Sequence, residues 1–181
     1  FPGQAPFLAL NAGLAIAMAR SLGIAWAEIP RNWEDVGFAS GRFRETMLSN
    51  GIRVIDDSYN ANPVSFENAL NAFQTLPVSG KKIVVFADMR ELGPEEVRFH
   101  KELGARILVS GVDLALAYGA LASYSIVAAQ KGMDARHFKD SGGALEALRA
   151  ALQPGDAVLF KGSRSMHVEK VLEGIRSVSF S

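Results

Sequence analysis

Cysteine is absent from all 181 residues, which removes disulfide scaffolds, thiolate nucleophiles and every Cys-ligated zinc or iron–sulfur centre. An excess of one charge is absent too. Nineteen Lys and Arg balance 19 Asp and Glu, so the chain lacks the electrostatic footprint of a general nucleic-acid binder. The longest apolar stretch, residues 7–19, contains Asn11 and Gly13 and falls short of the ~20 residues that a membrane span needs. No basic segment with a cleavage site precedes it, so it does not read as a signal peptide. His-Glu-x-x-His, the nucleophile elbow, Gly-x-Gly-x-x-Gly and the Gly-x-x-x-x-Gly-Lys-Ser/Thr phosphate loop are all missing. His100, His137 and His167 lie far apart with no ligand spacing. They read as surface or packing residues, and no metal site is expected here.

What remains is a cytoplasmic, mixed globular chain, 49% apolar, long enough for one good domain and a remainder at ~150 residues per domain. It opens at Phe1 rather than Met, and the expectation is a piece of something longer. Residues 5–23 are apolar on most faces of a helix and call for neighbours on most faces. Residues 30–41 follow as a polar connector, so residues 1–40 read as a tail.

Beyond Gly41 the pattern changes. Residues 43–48 and 52–55 are extended runs around Ser49-Asn50-Gly51, and Asn-Gly is a hairpin signal. Residues 63–76 put Phe66, Ala69, Leu70, Phe73 and Leu76 on one helical stripe, with Asn62 as N-cap and Pro63 at the first position. Strands are expected at 83–87, 114–118 and 157–160, as continuous apolar runs buried on both faces. Helices are expected at 95–109, 121–131, 141–152 with Ser141 as cap, and 166–176. Residues 41–181 thus read as an α/β, Rossmann-like domain: a mostly parallel sheet flanked by helices, with an antiparallel hairpin where the chain enters it.

Ligands in open α/β sheets bind beyond the carboxyl ends of the strands, and polar clusters fall there. In the first, Asp56 to Pro63, a strand-end carboxylate suits a ribose diol, and Asn60 and Asn62 offer amide groups beside a helix N-terminus. The same residues serve equally as caps and turn formers. In the second, Asp88 to Gly93, Asp88 is either a strand-end acid with a task or a loop residue. In the third, Lys161 to Ser165, two cations and two hydroxyls surround Gly162, which makes either an anion site or an ordinary basic loop.

Taken together, Asp56-Asp57-Ser58-Tyr59-Asn60-Ala61-Asn62-Pro63, a strand ending in Asp88-Met89 before Glu91-Leu92-Gly93, and Lys161-Gly162-Ser163-Arg164-Ser165-Met166 with Glu169 closely resemble one family. It is the UDP-N-acetylmuramoyl-tripeptide–D-alanyl-D-alanine ligases (MurF) of the ATP-dependent Mur ligases. The resemblance implies that residues 1–40 are the end of a central ATPase domain and 41–181 the C-terminal domain. It implies a cytoplasmic enzyme in which ATP phosphorylates the carboxylate of UDP-MurNAc-tripeptide and the amine of D-Ala-D-Ala attacks the acyl phosphate. Asn11 would then contact adenine, Arg42 would reach phosphate, Asp57 would hold the ribose, and Tyr59 would flank the nucleotide. Arg42 and Asn60 would act at the reacting centre. Asn60, Asn62, Lys161, Ser163 and Arg164 would hold the incoming dipeptide, the cations on its carboxylate.

Phe7-Leu8 stand where the family reads His-Asn, and Ala87 stands where it reads Gly before Asp-Met. The phosphate loop, the Mg2+ ligands and the tripeptide-binding domain are expected upstream in the same chain, so these residues alone are expected not to ligate. A monomer is expected, with no nucleic acid and no membrane as partner. Two other readings fit the residues: a non-catalytic nucleotide- or dipeptide-binding module, and a Mur-type ligase with a different amine substrate.

Overall fold

The computed structural model describes residues 6–29 and 41–176; the connector expected at 30–40 lies outside them. Helix α1 (Pro6–Ser21) is followed by a 3₁₀ turn at Trp26–Glu28. After Gly41 come β1 (Arg44–Met47), β2 (Arg53–Asp57), α2 (Pro63–Thr75), β3 (Lys82–Ala87), α3 (Glu96–Leu108), β4 (Leu114–Tyr118), α4 (Ala122–Ala129), β5 (Asp134–Phe138), α5 (Ser141–Ala151), β6 (Ala157–Lys161) and α6 (Glu169–Arg176). No helix among the described residues is long and apolar enough to cross a membrane.

The six strands lie in the order β1-β2-β6-β3-β4-β5. Only β1 and β2 pair antiparallel; every other pair is parallel. From β2 to β5 the chain steps across the sheet in one direction, and right-handed crossovers keep the intervening helices on one face. There Phe66, Leu70 and Phe73 of α2, Leu103 and Ile107 of α3 and Ile126 of α4 pack on Ile55, Val84, Phe86, Ala115 and Leu159. Phe66 meets Phe86 edge to face at 5.7 Å. The chain then returns from β5 to β6, reversing direction, so α5 and α6 cover the other face. Leu148, Leu172 and Ile175 pack there on Val54, Val85, Leu116, Val158 and Phe160. The direction in which the chain crosses the sheet reverses at β6, which lies between β2 and β3, and it is at such a switch point, beyond the carboxyl ends of the strands, that open α/β sheets bind ligands.

The hairpin loop falls at the expected residues 49–51: Gly51 N–H donates to Leu48 O at 3.0 Å and Ile52 O accepts from Leu48 N–H at 2.9 Å. Only Gly51 of the loop, at φ 80°, is left-handed, which gives a three-residue loop closed by a bulge. Asp140, not Ser141, caps α5, its carboxylate accepting from Gly143 N–H at 3.0 Å. The last helix starts at Glu169 because His167 sits at φ 53° after a short 3₁₀ turn. Strand β5 escaped the sequence pattern. It is an edge strand whose Asp134, Arg136 and His137 are exposed and whose Ala135 alone is buried.

Candidate functional site at the carboxyl ends of β2, β3 and β6

Sheet register puts Asp57, the last residue of β2, opposite Lys161, the last residue of β6. Their side chains meet: Lys161 Nζ lies 2.5 Å from Asp57 Oδ2. The ammonium also donates to Asn60 O at 3.1 Å and faces the Phe66 ring at 5.8 Å. The Lys161 side chain is 1% exposed and that of Asp57 14%. Burial lifts the Asp57 carboxyl above the usual carboxylate range, and Lys161 partly offsets this by attraction and hydrogen bonding. Burial likewise lowers Lys161, against the attraction of Asp57.

The other Asp57 oxygen, Oδ1, accepts from the N–H of Phe43 at 3.0 Å. Tyr59 N–H donates to Gly41 O at 2.9 Å. Segment 41–43 is therefore clasped to 57–59 at two points, and its backbone bends sharply. Gly41 has φ 77° and Phe43, which is buried, has φ 52°. A Cβ on Gly41 would lie 2.8 Å from Tyr59 N, so only glycine fits. The clasp lays the Arg42 guanidinium over the exposed Tyr59 ring, 4.5 Å from its centroid.

The loop after β6 is tied just as firmly. Ser163 is buried; its N–H donates to Asp88 O at 3.2 Å and its Oγ accepts from Arg90 N–H at 2.8 Å. Its hydroxyl points at Ala61 O, 3.5 Å away. One serine thus joins the loops after β2, β3 and β6. Arg164 points outward with its side chain 63% exposed, and Glu169 Oε1 holds it at 3.2 Å. The same oxygen lies 3.3 Å from His167 Nδ1.

Arg42, Asp57, Tyr59, Asn60, Lys161 and Ser163 are thus gathered into one bonded cluster. Asn60 Oδ1 accepts from the next residue's N–H at 2.8 Å. Asn62 caps α2 in a reciprocal box with Ser65: Asn62 Oδ1 accepts from Ser65 N–H at 2.8 Å, and Asn62 N–H donates to Ser65 Oγ at 3.1 Å. Asn11 is exposed on α1, and the bonds that join the cluster do not include it.

Two further buried residues hold the surrounding loops in place. Asp88 is buried, and its Oδ1 accepts from the N–H groups of Leu121 and Ala122 at the start of α4. The available signal was an apolar residue, Leu121, at the N-cap position of that helix. His100, also buried, accepts from Met89 N–H at Nε2 (3.0 Å) and donates from Nδ1 to Glu96 O (2.7 Å), fixing its tautomer.

Among the described residues, no group of three or more His, Asp or Glu side chains is arranged to hold a metal ion. A groove of about 270 Å³ between α2 and α3, lined by Val64, Phe99 and Leu103 among others, lies away from this chemistry. A second, of about 510 Å³, lies at the opposite, amino edge of the sheet beside Lys81 and Asp134. The polar cluster is part of neither.

Comparison with known proteins identifies relatives of this chain. The family described as "Mur ligase, glutamate ligase domain" matches residues 41–164. The UDP-N-acetylmuramoyl-tripeptide–D-alanyl-D-alanine ligase of Bacillus subtilis (strain 168) is 32% identical over 169 residues, covering 92% of this chain and 37% of that protein. The crystal structure of MurF from Acinetobacter baumannii superposes with a TM-score of 0.82 at 30% identity, over 93% of this chain and 37% of that one. MurF from Thermotoga maritima, solved in complex with ADP, gives a TM-score of 0.75 at 29% identity, over 92% and 37%. The chain spans little more than a third of the length of these relatives.

Proposed function

The chain belongs to the Mur ligase family through residues 41–164, and from that premise we propose that it is the C-terminal part of an ATP-dependent ligase that adds D-Ala-D-Ala to UDP-MurNAc-tripeptide in peptidoglycan precursor synthesis. One observation carries the reading. Charged side chains from two neighbouring parallel strands, β2 and β6, converge where the crossovers turn to opposite faces of the sheet.

In this reading residues 1–40 are the tail of the central ATPase domain, with Asn11 toward adenine, and residues 41–181 are the C-terminal domain. The triphosphate cradle and the Mg2+ ligands are assigned to the central domain, since the 181 residues contain no phosphate loop. ATP supplies the phosphoryl group that activates the tripeptide carboxylate as an acyl phosphate. This chain's task is to bring cations and dipoles to that anhydride, orient the amine and exclude water.

Arg42 is suited to the phosphate side, because its stack on Tyr59 leaves guanidinium N–H groups free to fork onto oxygen. Asp57 has one bond on each oxygen, so a lone pair on each is left for a ribose hydroxyl. Arg164, outermost of the cations, is assigned to the dipeptide carboxylate. Asn60 and Asn62 lie beside the positive end of α2, with Ser163 setting the loop behind them. An open, half-built cleft of this kind suits an enzyme whose C-terminal domain closes over a nucleotide held on its neighbour. We assign the enzyme to the cytoplasm as a monomer.

The test is ADP release by the full-length protein, with UDP-MurNAc-tripeptide and D-Ala-D-Ala each omitted in turn. Strict dependence on both is expected. Turnover with a different amine would overturn the substrate, and no ADP release by folded protein with any pair would favour a binding module.

A further inference from the structure

Lys161 holds a charge that the sheet buries. Its described partners all belong to this chain: the Asp57 carboxylate, the Asn60 carbonyl and the face of Phe66. The pair is fixed by the backbone, since Asp57 and Lys161 are register partners on hydrogen-bonded parallel strands. A carboxylate arriving from solvent would have to displace Asp57 from a side chain that is 1% exposed. Arg164, three residues further on, meets such a ligand without disturbing anything buried.

Asp57 faces two ways. Oδ2 takes the Lys161 ammonium, while Oδ1 holds the Phe43 N–H. A left-handed non-glycine residue such as Phe43 costs on the order of 1–3 kcal/mol and persists only where its surroundings over-determine it. Here they include the Asp57 bond on one side, the Gly41–Tyr59 bond on the other and the packing of the Phe43 ring in the core. Arg42, between them, goes where the clasp puts it.

We propose that Lys161 is a positioning residue for the nucleotide half of the site: acting through Asp57, it sets the Gly41-Arg42-Phe43 clasp and thereby the placement of Arg42, and it does not bind the carboxylate of the amine substrate. The inference rests on the ligase reading above for what Arg42 meets, but the relay itself rests on geometry alone. The ammonium keeps the buried carboxyl ionised and fixes its plane, so that the second oxygen faces Phe43. Without it the carboxyl is free to turn or take up a proton, and Arg42 loses its seat on Tyr59.

The experiment compares full-length wild type with Lys161→Met, Lys161→Arg and the double variant Asp57→Asn/Lys161→Met. The KM for ATP and the KM for D-Ala-D-Ala are measured separately. Lys161→Met is expected to raise the ATP KM about tenfold, the scale of one lost charge-assisted contact, with the dipeptide KM within about twofold of wild type. Lys161→Arg should recover part of the loss. Removing one member of a buried pair is strongly destabilising, whereas replacing both with neutral groups is often tolerated, so the double variant guards against misfolding. It should fold, which shows that loss of the pair is tolerated; its own ATP KM also carries the loss of the Asp57 carboxylate and is not compared. A rise confined to the dipeptide KM in Lys161→Met would overturn the proposal, as would a normal ATP KM in that variant.

An independent readout is the NMR signal of the Phe43 amide in the 181-residue chain. It should shift in Lys161→Met and return toward wild type in Lys161→Arg. An unchanged Phe43 amide would overturn the relay. If the full-length protein forms no ADP, the ligase reading fails, and this signal still decides whether Lys161 acts through Asp57.

Discussion

Asp88, at the end of β3, caps the neighbouring helix α4: its Oδ1 accepts from Ala122 N–H at 2.8 Å and from Leu121 N–H at 3.0 Å. The helix brings no capping side chain of its own. A buried carboxylate at a helix N-terminus satisfies orphan donors and faces the positive end of the macrodipole.

The space that the carboxylate occupies belongs to Gly119, whose φ is 106° and where a Cβ would overlap it. Gly119→Ala is therefore expected to destabilise the fold by about 2–4 kcal/mol, through backbone strain and a displaced cap together. Asp88→Ala, which leaves two N–H groups without their acceptor, should cost about 3 kcal/mol, and Asp88→Asn less, because an acceptor oxygen remains. Urea unfolding checks all three; a Gly119→Ala protein as stable as wild type would refute the crowding.

At the start of α2 the Asn62–Ser65 box is local and largely exposed. Asn62→Ala should cost about 1 kcal/mol, or roughly 2–4 °C in Tm for a chain of this size. Asn62→Asp should retain most of the stability. Calorimetry tests the cap, and a large loss of ligation in Asn62→Asp at unchanged Tm would assign the residue a substrate contact as well.

The Tyr118 hydroxyl donates to Met166 O at 2.7 Å. Burial pushes its phenol above the ordinary value, and the carboxylates of Glu169 and Asp88 push it further. A raised folded value means that the folded chain keeps this proton longer than the unfolded chain does. The stability contributed is complete below the unfolded value of about 10 and is lost as pH rises toward the higher folded one. Wild type should therefore lose stability above about pH 10 more steeply than Tyr118→Phe. Equal slopes in denaturant titrations would contradict the shift.

The two exposed arginines are expected to separate by substrate. Arg164→Ala should raise the D-Ala-D-Ala KM about tenfold and leave the ATP KM nearly unchanged, and Arg42→Ala should do the reverse. Steady-state kinetics of the full-length enzyme, varying one substrate at a time, makes the comparison. Identical effects of the two variants on both constants would undo the assignment.

Much of this was legible in the residues, for local reasons. Strands β3, β4 and β6 announce themselves as apolar runs because both their faces are covered. Helix α2 is legible from Asn62, Pro63 and the stripe through Phe66 and Phe73, each of which acts within a turn or two of helix. The strand-end clusters stood out because polar residues interrupt those runs. Strand β5 was not legible, since its edge position leaves it little to bury. The roles of Asp88 and Lys161 stay open in the sequence, between a working group and a loop charge, because their burial depends on residues far along the chain.

By itself the sequence determined the class of fold, the order of its elements apart from β5 and the chemical character of three loops, because hydrophobic period, caps and turns act between near neighbours. Only the tertiary structure decided which loops meet. The return of β6 into the gap between β2 and β3 follows from crossover handedness and sheet order, not from any local signal. That insertion brings Lys161 to Asp57, 104 residues away in the chain. It turns two residues that resemblance had assigned to separate ligands into one buried pair.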